Sequence, residues 1–205
     1  MSFLSRLTRS RSDNAADMRA LWHRVVEIAR EKAWYQAGQV ADTVTGRFDV
    51  IAMVLAVVLL RMEREDVLHA PSTRLTELFV TDMDGQLRQG GVGDLMVGKH
   101  VAKLMSTLGG RIGALRDALA HSGTSKRDAL VHSGTSKRDA LAHSGTSKRD
   151  ALVLSDDTAL AAAIERNVTL VDGGDPWPMA ALLRGLVRDL DGADAAALLA
   201  GRIAR

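Results

Sequence analysis

The stretch Val50 to Leu60, VIAMVLAVVLL, is eleven apolar residues without a break, and its reading decides the architecture. A helix that crosses a bilayer needs about 20 apolar residues. A run this short, flanked by Arg47 on one side and by the charged stretch Arg61 to Glu65 on the other, instead predicts a helix enclosed by protein all round. That helix is expected from about Arg47 to Glu65, as the centre of a core. The rest of the chain then has to supply helices or strands that cover it.

The flanking sequence supplies helices. Upstream, Met18, Leu21, Trp22, Val25, Val26, Ala29, Ala33 and Trp34 recur at steps of three and four, which predicts one helix opened by a cap at Asn14, with both tryptophans in the core. Downstream of the loop at His69 to Pro71, Ser72 or Thr73 caps a helix with Leu75, Leu78, Phe79, Met83 and Leu87 on its apolar face, ended by Gly90, Gly91 and Gly93. Asp94 then caps a long helix whose apolar positions are Leu95, Val97, Val101, Leu104, Met105, Leu108, Ile112, Leu115 and Leu119, with a kink expected at Gly109 and Gly110. Further helices are expected from Ser155 or Asp156 to Asn167, after Pro176 and Trp177, and over Asp194 to Ile203. No alternating strand pattern stands out, so the predicted class is all-α, one domain of about six to seven helices.

Into this pattern an eleven-residue unit, HSGTSKRDAL followed by Val or Ala, is written three times from His121 to Val153. Each copy adds one net positive charge. The 172 residues outside it therefore sit near −1 against a chain total of +2, and the pI of 9.2 is largely the repeat's doing. For that reason the basic balance carries no inference of nucleic-acid binding. His121, His132 and His143 belong to the units, lie at a spacing no common zinc motif uses, and read as exposed loop histidines. The Ser-Gly-Thr in every unit argues against one continuous helix, and the repeat is expected to be a surface insertion. The domain organisation is thus a basic arm over residues 1–13 and a helical domain over 14–205, interrupted by 121–153. The arm sets Phe3, Leu4 and Leu7 against Arg6, Arg9 and Arg11, a short basic amphipathic pattern able to touch a membrane surface, with a frayed terminus as the plainer alternative.

The chain has no cysteine, so thiolate chemistry and disulfides are excluded. Gly93 to His100, GDLMVGKH, matches a phosphate-cradling loop except at its last place, where histidine stands instead of the hydroxyl that holds magnesium. Its preceding sequence is polar, without the buried strand the motif needs. Asp82 and Asp84 lack the closing ligands of a calcium loop, and His23 and His100 have no partner one helical turn on. No cofactor, metal or catalytic set is expected.

Several blocks then fall in a familiar order: ADTVTGRF (41–48), RMERE (61–65), LFVTDMDGQLR (78–88), GVGDLMVGKH (91–100), GALRDAL (113–119) and LSDDTALAAAIERN (154–167). In that order they resemble the ubiquinol-cytochrome c chaperone family, over roughly Leu21 to Asn167 without the repeat. The resemblance implies a helical, non-enzymatic assembly factor for the cytochrome bc complex that binds newly made cytochrome b. It also implies a small helper protein or the ribosome as further partner, and a place at the inner membrane periphery, on the cytoplasmic side in a bacterium or in the matrix of a mitochondrion. A generic membrane-associated helical adaptor is the alternative reading. Within the matched blocks the candidate partner-binding residues are Asp42, Thr43, Arg61, Asp82, Arg88, Lys99, Asp156 and Asp157, the last two equally suited to capping a helix. Two departures from the family stand out: Leu115 occupies a place where members often carry an aromatic, and the repeat separates GALRDAL from LSDD.

Overall fold

The computed structural model describes residues 18–89, 94–131 and 148–205, with side chains described outside 87, 89, 94–98, 100, 101, 121–131 and 148–156. The basic arm, the Asn14 cap, Gly90 to Gly93 and residues 132–147 of the repeat lie outside the described residues. Within them the fold is all-α, and the one β feature is an isolated antiparallel bridge between Val40 and Leu170.

Helix α1 (residues 18–29) buries Met18, Leu21, Trp22, Val25, Ile28 and Ala29, the spacing that puts one stripe on one face. It does not continue to Trp34 as expected. Glu31 turns to extended backbone (φ −60°, ψ 132°) and a separate turn, α2 (Lys32–Gln36), follows. The break is set by side chains that reach back across it: the Trp34 indole Nε1 donates to the Ile28 carbonyl at 2.7 Å and the Tyr35 hydroxyl to the Ala29 carbonyl at 2.9 Å. The Ile28 carbonyl also accepts from Glu31 N at 3.1 Å, so the indole adds a second bond there, while the Tyr35 hydroxyl supplies a partner to a carbonyl at the helix end.

Helix α3 (Val44–Met62) starts earlier than expected because Thr43 caps it, its hydroxyl accepting from Gly46 N at 3.1 Å. Gly46 has to be glycine, since a Cβ there would collide with the Ala41 carbonyl. From Val50 to Leu59 only Ile51 escapes full burial, as a helix apolar all round requires. Replacing Thr43 by Ala is expected to cost about 1 kcal/mol, read as a lower urea midpoint with an unchanged slope.

A 3-10 turn (Asp66–Leu68) leads into α4 (His69–Gln89), which begins before the predicted caps. Ser72 and Thr73 lie inside it and donate to the His69 carbonyl at 2.8 and 3.4 Å, while Pro71 occupies the first turn, where its missing N–H is no loss. Leu75, Phe79 and Met83 are buried, and Phe79 meets Trp22 edge-on at 6.0 Å. Helix α5 (Asp94–Val131) runs through Gly109 and Gly110 and on through the first repeat unit. Continuity at Ser122-Gly123-Thr124 corrects the expectation for the first unit; the tripeptides of the other two units lie outside the described residues. A helix already packed as far as Ala118 extends without a new nucleation step, and that step is the costly one.

Helix α6 (Lys148–Asn167) likewise begins inside the third unit, so Ser155 and Asp156 are interior positions and not its start. Asp175 caps α7 (Pro176–Asp191) by accepting from Trp177 N at 3.0 Å, and Asp194 caps α8 (Ala195–Leu199). The last helix stops short of Ile203 because Gly201 turns at φ 69°, with Arg202 N bonded to Ala197 O at 2.8 Å and Gly201 N to Leu198 O at 2.9 Å. That pair of bonds is a Schellman ending. Helices α4, α5 and α7 pack on α3, α6 packs on α5 and α7, and the core is continuous from Met18 to Ile203.

Candidate partner-binding surface

The residues singled out in the sequence separate into three places. Arg61 and Asp157 are engaged between helices. The Arg61 guanidinium, 9% exposed, donates to the carbonyls of Leu190 at 3.2 Å and Ala193 at 2.9 Å and pairs with Glu65, closing the C-terminal end of α7 onto α3. A cation at that end also meets the negative end of the helix dipole. Asp157 of α6 pairs with Arg184 of α7. Asp156 lies one residue before it, among the side chains left undescribed.

Asp42 and Thr43 stand at the start of α3. The Thr43 hydroxyl is used by the cap, and Asp42 pairs with Arg47 at 2.6 Å on the surface. The Arg47 guanidinium holds the Asp42 carboxyl below the usual carboxylate range by hydrogen bonding to it. Beside them Val44 is 88% exposed.

Asp82, Arg88 and Lys99 belong to the third place, the second half of α4 and the first half of α5. Asp82 accepts from Gln86 at 3.2 Å, and Arg88 donates to Asp84 at 3.0 Å. Lys99 is exposed, and it sits within a helix preceded by another helix, not by the strand a phosphate loop requires. Among the described side chains, none between Met83 and Leu108 is buried, although Leu104 is half-buried against the core.

What it offers instead is a face. On α5, Lys99, Ala102, Lys103, Ser106 and Gly110 follow at helical steps and are all exposed, with Met105 and Gly109 alongside. Met105 was expected to point inward and is 39% exposed. A Cβ added at Gly109 or Gly110 would meet nothing within 4 Å. The result is an open strip of small residues around a flexible thioether, edged by two ammonium groups. Small residues allow close approach of a second helix, and methionine adapts its shape to what it meets.

Sequence reasoning missed two features. One is the buried pair of Asp49 and Arg111, bonded from the surface by Thr169, which joins α3, α5 and the segment after α6. The other is Lys103 and Met105 as surface residues. Among the described residues no group of carboxylates and histidines is arranged to hold a metal, and no helix is long and apolar enough to cross a membrane.

The family model described as ubiquinol-cytochrome C chaperone matches residues 36–143, which include the whole described α4–α5 pair, while the block at 154–167 lies beyond the match. Among solved structures, the crystal structure of the Cbp3 homolog from Brucella abortus is similar with a TM-score of 0.68 and 29% identity, covering 99% of this chain and 96% of that one. No curated protein compared with the chain matches it.

Proposed function

The chain belongs to the ubiquinol-cytochrome c chaperone family, and from that premise we propose that it is a non-enzymatic assembly chaperone of the cytochrome bc complex that holds newly made cytochrome b on the α4–α5 face. The observation that carries the choice of face is the absence of any buried described side chain between Met83 and Leu108. Asp84 to Gln86, Arg88 and Lys99, which belong to two blocks of the family resemblance, stand there at exposed or half-buried positions. Residues that do little for folding are free to serve a partner.

The chemistry suits such a client. A membrane protein waiting to be assembled exposes apolar helix surface, and a strip of Ala102, Met105, Ser106 and Gly109 gives it a shallow, adaptable bed. Lys99 and Lys103 at the edge meet carboxylates or phosphates that flank apolar segments at the membrane surface. The work is done at the inner membrane periphery, in the cytoplasm of a bacterium or the matrix of a mitochondrion. A small helper protein or the ribosome has the exposed start of α3, with Asp42, Val44 and Arg47, as a second surface.

Crosslinked pull-down from native membranes tests both levels of the reading. The parent chain is expected to recover cytochrome b, and Met105→Asp with Lys99→Glu to lower that recovery by about tenfold or more, with helicity and thermal midpoint unchanged. Recovery of cytochrome b in equal amounts by parent and variant would remove the face. No recovery by the parent would remove the client.

A further inference from the structure

Between α1 and the first half of α4 lies a groove of about 660 Å³, away from the α4–α5 face. Met18 and Leu78 form its apolar floor, and Arg19, Arg74, Glu77 and Thr73 line its walls. Its volume falls within the few hundred to about 1,000 Å³ that small ligands occupy, and is too small for a whole partner helix. Among the described residues neither Arg19 nor Arg74 enters an ion pair, and neither does Glu77. Two free guanidiniums facing one groove, on neighbouring helices, are an arrangement for an anion.

We propose that this groove binds the headgroup of an anionic phospholipid in a bilayer, of the phosphatidylglycerol type. Each part of such a headgroup has a counterpart. The phosphodiester oxygens accept from Arg19 and Arg74, and the glycerol hydroxyls donate to the Glu77 carboxylate and the Thr73 oxygen. The first carbons of the lipid lie on Met18 and Leu78. Glu77 makes the groove poorer for a bare phosphate dianion than for a hydroxylated phosphodiester with a single negative charge. The bilayer is favoured as the source because the sequence ahead of Met18 carries Arg6, Arg9 and Arg11 with Phe3, Leu4 and Leu7, a second set of basic and apolar residues suited to a membrane surface. This assignment does not depend on the client reading, and its test contains no cytochrome b.

The test is partition of the full chain onto vesicles of phosphatidylcholine, with or without phosphatidylglycerol, or with phosphatidic acid at equal charge. The parent is expected to bind the phosphatidylglycerol vesicles, and the Arg19→Glu, Arg74→Glu double variant to bind them at least about tenfold more weakly, with unchanged circular dichroism. The same fall is expected in a background where Arg6, Arg9 and Arg11 are serine, which separates the groove from the arm. Glu77→Gln is expected to erase the preference for phosphatidylglycerol over phosphatidic acid. Equal partition of the parent and the double variant overturns the proposal. So does saturable binding of soluble glycerol 3-phosphate, or of a glutamate-rich peptide, by a chain that partitions onto none of the vesicles.

Discussion

Asp49→Ala is expected to lower folding stability by about 3–5 kcal/mol, the cost of leaving a buried charge without its partner. Asp49 and Arg111 are each 5% exposed. One carboxylate oxygen of Asp49 takes the Arg111 guanidinium; the other accepts from Thr169 N at 2.9 Å and from the Thr169 hydroxyl at 2.7 Å. Arg111 also donates to the Asn167 carbonyl at 2.8 Å and lies 5.6 Å above the Phe48 ring. Thr169 is exposed and can turn to water when the carboxylate is gone. Arg111 cannot, and its charge carries most of the loss. Urea denaturation of Asp49→Ala measures the loss. The double variant Asp49→Leu, Arg111→Met is expected to recover most of it, because removing both charges also removes the desolvation that each incurs. A loss under about 1 kcal/mol in the single variant would mean that the guanidinium finds another acceptor.

The same cluster shows where sequence reading stops. Asp49 stands one residue before the apolar run that announced the core, and nothing local distinguishes it from a solvated flank; its partners are 62 and 120 residues away. Arg61 has its carbonyl partners 129 and 132 residues on, so its part in closing α7 onto α3 could not be read locally. Periodicity reports the face of a helix but not what covers it. Trp22 and Trp34 fitted a stripe that other helices do cover, and both are buried; Met105 fitted one equally well at a point where α5 is left open. Local start signals failed in a similar way at Ser155 and Asp156, good capping residues overridden by a helix that already runs through them from Lys148. The class and the central helix were legible because they rest on local pattern. The long-range polar contacts were not, because they are properties of the packed chain.

Trp34→Ala is the second large effect, expected at about 3–5 kcal/mol, and it tests why the first helix breaks. Trp34 is fully buried in the core, and two kinds of contact end with its removal. The ring fills space that no neighbour can reoccupy without moving, and the cation of Arg205 lies 5.2 Å over it, tying the C-terminal end of the chain to α2. Its indole N–H also donates to the Ile28 carbonyl at the end of α1, beside the backbone bond from Glu31 N. Trp34→Phe separates these contributions: it keeps most of the ring and loses the donor, and is expected to cost about 1–3 kcal/mol. If the back-reaching bonds hold the break in place, the Phe variant will also speed amide exchange over residues 28–34 more than elsewhere in the core. A Phe variant as stable as the parent, with exchange unchanged there, would assign the break to packing of Trp34 alone and leave the indole bond without a role in it.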